Sequence, residues 1–287
     1  MKTSAYVPKS VLRDYIFRIM KLIRRAAMGI LMLTPGAWLV RTARFGLRDG
    51  YLRIAAAYGL IAPFEDRRSR ALEEDSRLLP LLNTIPEVGL EELVTGPGLV
   101  SLSPHLNLGE GSMPMTDLLP FLSLFSSIRP AQALEIGTFE GTTTAMMALN
   151  SPETLIHTLD LPPENRSGET LLDQDDFHLI QKRRLGDSFR LVPGARILQH
   201  HGDSASWDFR AVCEASFAFI DGAHTYAYIR NDTEKTLANC RKPLTVVWHD
   251  CDTYHAGVVR WLAEMVVSGH AVRRIRGTAL AVLQVSG

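Results

Sequence analysis

The chain of 287 residues is long enough for one large domain with an appendage, or for two small ones, and it needs no disulfide framework to hold a core. Its 46% hydrophobic and 22% charged content, with 21 glycines and 15 prolines, excludes collagenous and broadly disordered classes. Thirty-one basic residues balance thirty-one acidic ones, so no overall basic field recommends nucleic acid as a partner, and three cysteines without a CxxC pair (Cys213, Cys240, Cys251) point to a reducing, cytoplasmic setting.

The neutral sum is unevenly distributed. Through residue 58 there are eleven basic side chains against only Asp14 and Asp49, a net charge of +9 that leaves −9 on the remainder. Residues 11–33 repeat apolar groups at helical spacing, interrupted by Arg13, Lys21, Arg24 and Arg25, which predicts a basic helix. The least polar piece, Ala26 to Val40, is 15 residues long and contains Pro35 and Gly36, short of the roughly 20 apolar residues of a bilayer crossing, so no transmembrane span is expected. Such a helix covers an apolar face of its own body or of a partner subunit in a homo-oligomer. Otherwise it lies on an anionic surface, which makes residues 11–40 the candidate for peripheral contact at the inner face of a membrane. The run from Glu65 to Glu74 reads as a solvated helix face, and the Gly- and Pro-rich stretch from Val94 to Met115 as a connection. The expected organisation is an N-terminal helical extension with linker over 1–111 and a main domain over 112–287.

From there, elements alternate. Thr116 is positioned to cap a helix over DLLPFLSLFSSI, and the apolar run 131–136 predicts a strand that stops at Gly137. Further strands are expected at 155–159, 196–199, 217–220 and 245–248, separated by segments long enough for helices. That pattern defines an α/β fold with a doubly wound, mostly parallel sheet. The runs 271–275 and 279–285, separated by Arg276, Gly277 and Thr278, predict a closing C-terminal antiparallel strand pair. Ligands in such sheets bind beyond the carboxyl ends of the strands, so Gly137–Gly141, Asp160, Gly202–Ser204, Asp221–His224 and His249–Asp252 form one candidate site.

Within LEIGTFEGTTT, Gly137 permits a sharp strand-to-helix turn and Gly141 a close approach to the helix start. The GxxxG spacing differs from the GxGxxG of nicotinamide dinucleotide sites. Asp160, at the end of the next strand, can accept both hydroxyls of a ribose, and Asp203 an adenine amino hydrogen; either could instead cap a helix. Asp221 and Asp250 each follow an apolar strand, and neighbouring strands lie about 4.8 Å apart, so the two carboxylates can share a divalent cation. Oxygen ligands favour Mg²⁺ or Ca²⁺, with His249 and Asp252 as further ligands. His224 lies in the loop of Asp221 and could serve as general base. Tyr226 and Tyr228 could frame a pocket or pack under the following helix, and His157, His200 and His255 receive no role.

Taken together, LEIGTFEGTTT, LDLP, HGDS and above all FIDGAHTYAYIRND resemble the class I S-adenosylmethionine-dependent methyltransferases, in particular the metal-assisted sugar and small-molecule O-methyltransferases. The resemblance covers roughly residues 112–285. It implies a Rossmann-like methyltransferase fold in which Glu135, Gly137 and Gly141 line the methionine part of S-adenosylmethionine, with Thr138 in the same turn, while Asp160 holds the ribose and Asp203 sits near adenine. It further implies Mg²⁺ at Asp221, Asp250 and His249, His224 and Asp221 as catalytic residues, and a hydroxyl of a small molecule or saccharide as acceptor. His249 departs from the carboxylate often found at its position. Two alternatives come from other classes. One is a non-catalytic cofactor-fold scaffold or membrane-associated binding protein; the other is a hydroxylase with iron on His224, His249 and Asp221.

Overall fold

Strands that are apolar on both sides need two covering layers, and helices supply them here. The computed structural model describes residues 77–94, 99–103, 111–161 and 184–287. The expected basic leader with its helix over 11–33, the membrane-contact candidate 11–40, the charged run 65–74 and parts of the 94–115 connection lie outside the described residues. Among the described residues no helix is long and apolar enough to cross a membrane.

In chain order the regular elements are β1 (Glu87–Val88), α1 (Met115–Ile128), β2 (Gln132–Ile136), α2 (Thr142–Asn150), β3 (Leu155–Asp160), β4 (Ile197–His201), β5 (Phe217–Ile220), α3 (Tyr226–Asn239), β6 (Leu244–Trp248), α4 (Ala256–Val267), β7 (Arg273–Ile275) and β8 (Ala281–Val285). The strands form one sheet in the order β1-β7-β8-β6-β5-β2-β3-β4. β8 runs antiparallel to both β6 and β7, and every other neighbouring pair is parallel. The fold is thus the doubly wound, mostly parallel Rossmann-like sheet with an antiparallel C-terminal pair. β1, two residues long and too short to show any periodicity, lies at the edge beside β7; residues 77–94 belong to the same compact unit as the sheet.

Period-two alternation sorts the core into two layers. Leu134, Ile136, Ala218, Ile220, Val246 and Trp248 pack with Ile229 of α3 and with Val258, Val259 and Leu262 of α4. On the opposite face Ala133, Ile156, Phe217, Phe219 and Val247 pack with Leu118, Phe121 and Phe125 of α1 and with Met146 and Met147 of α2. The start of α1 differs from expectation: Pro114 occupies the cap position and Thr116 lies inside the helix, exposed. Proline needs no N–H partner there and its fixed φ suits a helix entrance. That shift makes Asp117 a first-turn residue, and its side chain is turned inward rather than to water.

Phe121 is the central contact of the second layer, with ring centroids 4.4 Å from Phe219, 5.9 Å from Phe217 and 6.3 Å from Phe125. Because it is fully buried, Phe121→Ala is expected to lower unfolding stability by about 3–5 kcal/mol. Urea denaturation checks this: an unchanged midpoint would mean that the layer does not hold α1 to the sheet.

Candidate active site

Strand order reverses between β2 and β5, since β3 and β4 continue to one side of β2 while β5 and β6 continue to the other. Beyond the carboxyl ends of these strands lies a cavity of about 420 Å³, in the range of small-molecule sites. Its floor is the turn after β2. Gly137 has φ +101°, and a Cβ there would stand 2.0 Å from the carbonyl oxygen of Asp221, so only glycine lets the two strand ends approach.

Four residues of the expected cofactor set line this cavity: Gly137, Thr138, Asp160 and Asp203. Asp160 Oδ2 accepts the Phe139 N–H at 2.7 Å, which holds Phe139 in a left-handed conformation. Asp203 accepts the Ala205 N–H at 2.8 Å on one oxygen and the Tyr228 hydroxyl at 3.1 Å on the other. Burial, with the Asp203 charge beside it, pushes the Tyr228 hydroxyl up to about 12, so Tyr228 is a neutral donor lining the cavity. Tyr226 turns away and donates to Glu264 at 2.6 Å.

Glu135 and Gly141 do not line the cavity. The space that a Cβ on Gly141 would need is filled by the Phe189 ring, 2.4 Å from that position, so the glycine leaves room for this chain's own aromatic. Glu135 points from β2 toward α2 and is fully buried, accepting from the hydroxyls of Thr144 and Thr158. Its second oxygen, Oε1, finds no partner among the described residues. Thr158 also pairs with Thr138 at 2.6 Å, so a chain of hydroxyls links the buried carboxyl to the cavity floor. Burial pushes Glu135 up to about 8, against the two hydroxyl donors that pull it down, with Asp221 and Asp160 adding to the rise.

At the other end, β5 and β6 are paired with Ile220 opposite Trp248, which makes Asp221 and His249 facing first residues after the strands. Asp250, one residue further, has φ +59° and turns its carboxylate back into the group. His249 Nδ1 stands 3.2 Å from both Asp221 Oδ1 and Asp250 Oδ2, and its Nε2 3.2 Å from Asp117 Oδ2. His224 Nε2 lies 2.7 Å from Asp250 Oδ2. Burial alone would push the His249 imidazole down; the charges of Asp221 and Asp250 and the hydrogen bonds of Asp117 and Asp221 hold it well above its ordinary range. Burial would raise Asp250, yet His249 and His224 hold it well below the usual carboxylate range.

Two groups of side chains lie at metal-ligand separations among the described residues: Asp221, His249 and Asp250, and His224, Asp250 and His255. The first is the expected metal set. The expected iron set of His224, His249 and Asp221 is not one of the two. Asp252 faces His255, 2.9 Å from its Nδ1, instead of joining the first group. Sequence reasoning missed Asp117, which lies 132 residues before His249, and gave no role to His255.

Residues 134–251 match a family described as methyltransferase domain. No curated protein sequence matches the chain significantly. Solved structures that resemble it include the O-methyltransferase TomG of Streptomyces achromogenes, in complex with S-adenosylmethionine (18% identity, 64% of this chain, 83% of that one, TM-score 0.41). Another is the methyltransferase PaMTH1 of Podospora anserina, bound to S-adenosylhomocysteine (12% identity, 58% and 79%, TM-score 0.42). A third is CalS11, a TDP-rhamnose 3′-O-methyltransferase (20% identity, 74% and 93%, TM-score 0.42). The matched residues 134–251, which run from β2 to the turn after β6, thus carry a methyltransferase domain on the doubly wound sheet.

Glu135 titrates near 4.5 when free and about 8 when folded, so folding takes up a proton across that interval. Its contribution to stability is fully present below 4.5 and is lost as pH rises through about 8. Urea midpoints at about pH 5.5 and about pH 8.5 should therefore fall less in Glu135→Gln than in the wild type. Equal falls would show that Glu135 does not carry the pH dependence.

Proposed function

We propose that the chain transfers the methyl group of S-adenosylmethionine to a hydroxyl oxygen of a small molecule or saccharide, with a divalent cation at Asp221, His249 and Asp250. The observation that supports this reading is that Asp160 and Asp203, the carboxylates expected at ribose and adenine, line the same cavity as the Asp221–His249–Asp250 cluster. Two carboxylates and an imidazole with atoms this close are a donor set suited to a divalent ion.

An alcohol holds its proton far above neutral pH, so an oxygen acceptor needs a base and nearby positive charge, which is what the cluster offers and what a neutral amine would not require. When bound, the cation supplies charge that favours the ionised acceptor, and S-adenosylmethionine supplies the electrophilic methyl. His224 takes the hydroxyl proton on its ring. Asp250, 2.7 Å from Nε2, stabilises the imidazolium that results. Gly137 and Thr138 leave the methionine portion room along the turn, while Met113, Ile136 and Leu159 provide apolar wall that excludes water.

Isothermal titration of the full chain with S-adenosylhomocysteine tests the cofactor half of this reading. Binding is expected in the wild type and about 10-fold weaker or worse in Asp160→Asn, the cost of a charged hydrogen-bond acceptor. His224→Gln separates binding from chemistry. It should bind S-adenosylhomocysteine normally and lose methyl transfer by roughly 10²–10⁴-fold on any accepted saccharide or small alcohol. Absence of S-adenosylhomocysteine binding, or full transfer activity in His224→Gln, contradicts the proposal.

A further inference from the structure

His249 offers nitrogen where Asp221 and Asp250 offer oxygen, and its ring is fixed from behind. The two 3.2 Å separations from Nδ1 to Asp221 Oδ1 and Asp250 Oδ2 are close to the roughly 3 Å between adjacent donors at right angles around one ion with bonds of about 2.1 Å. On the opposite edge of the ring, Nε2 stands 3.2 Å from Asp117 Oδ2. Asp117 is itself anchored, accepting the Ala279 N–H at 3.3 Å on its other oxygen, and it is only 4% exposed. A buried carboxylate that takes the Nε2–H commits Nδ1 to the side facing the two aspartates and raises its basicity as a ligand.

We infer that Asp117, acting through His249, makes the Asp221–His249–Asp250 group a mixed nitrogen–oxygen centre selective for a first-row transition ion such as Mn²⁺, Co²⁺ or Zn²⁺ over Mg²⁺ or Ca²⁺. This deepens, and rests on, the reading that a cation binds there. Magnesium and calcium favour oxygen shells, and magnesium gives up water reluctantly, whereas imidazole suits the later ions. The inference departs from the Mg²⁺ expected at Asp221, Asp250 and His249. Asp117 is a positioning residue, contributed by a helix distant in sequence. His224 and His255 are the competing nitrogen sources, since both face Asp250, at 2.7 Å and 3.5 Å.

The test uses the full chain stripped with a chelator and titrated separately with CoCl₂ and MgCl₂, together with electron spin-echo spectroscopy of the Mn²⁺-loaded protein. Co²⁺ is expected to bind more tightly than Mg²⁺. His249→Asp, which makes the group all-oxygen, should lower the Co²⁺-to-Mg²⁺ affinity ratio by about 10-fold or more. Asp117→Ala should weaken Co²⁺ by about 10–100-fold and Mg²⁺ much less. Wild-type Mn²⁺ protein should show nitrogen-14 modulation that disappears in His249→Asp. Should that variant fail to fold, the Co²⁺-to-Mg²⁺ affinity ratio of Asp117→Ala decides in its place. An oxygen-only spectrum, or an unchanged affinity ratio, overturns the inference while leaving the cation reading intact. Nitrogen modulation retained in His249→Asp assigns the ligand to His224 or His255 and also overturns it. No binding of any ion removes the cation reading and this inference together.

Discussion

Charge removed from water must be matched by opposite charge close at hand, because desolvation costs several kcal/mol per ion. The ends of β5 and β6 meet that demand with an imbalance: one imidazole, His249, sits among the carboxylates of Asp117, Asp221 and Asp250. His224 and His255 approach Asp250 from the other side, but the central ring alone touches all three acids. Against burial, the charges of Asp221 and Asp250 hold that ring well above its ordinary range. The same excess of negative charge is what, under the proposed reading, a divalent cation would neutralise.

Backbone geometry brings that group to the cavity. Two non-glycine residues near it, Phe139 and Asp250, adopt left-handed conformations, a cost of order 1–3 kcal/mol each that persists where surrounding contacts over-determine it. For Phe139 the compensation is the bond from its N–H to Asp160. For Asp250 it is the pair of imidazoles on its carboxylate. Gly137 complements both: with no side chain, it lets the Asp221 carbonyl sit against the turn, so the cavity floor and the acidic rim form one surface. Beneath that floor, Glu135, which does not line the cavity, and its threonine partners tie β2 to α2 and β3.

Much of this was legible in the sequence, for a physical reason. Buried parallel strands read as unbroken apolar runs, and the polar residues that follow them mark the rim where ligands bind, so Gly137, Thr138, Asp160, Asp203, Asp221, His249 and Asp250 could be named from their positions alone. Side-chain direction was less legible. Glu135 occupies the expected strand end, but the pleat turns it toward α2, and the room at Gly141 is taken by the Phe189 ring. Asp117 carried no local signal, since an acid in the first turn of a helix is ordinary, and only the folded chain brings it to His249. His255 follows Asp252 by three residues in a loop whose pairing depends on how Asp250 turns, which no periodicity encodes.

The convergence of a nucleoside site and a metal-binding rim on one cavity is tested most directly by a crystal structure of the full chain with S-adenosylhomocysteine bound. The expected result is a ribose held by Asp160, adenine beside Asp203, and the thioether sulfur directed at the space in front of Asp221, His224 and His249. A nucleoside that bypasses Asp160, or a sulfur turned away from that acidic rim, would contradict it.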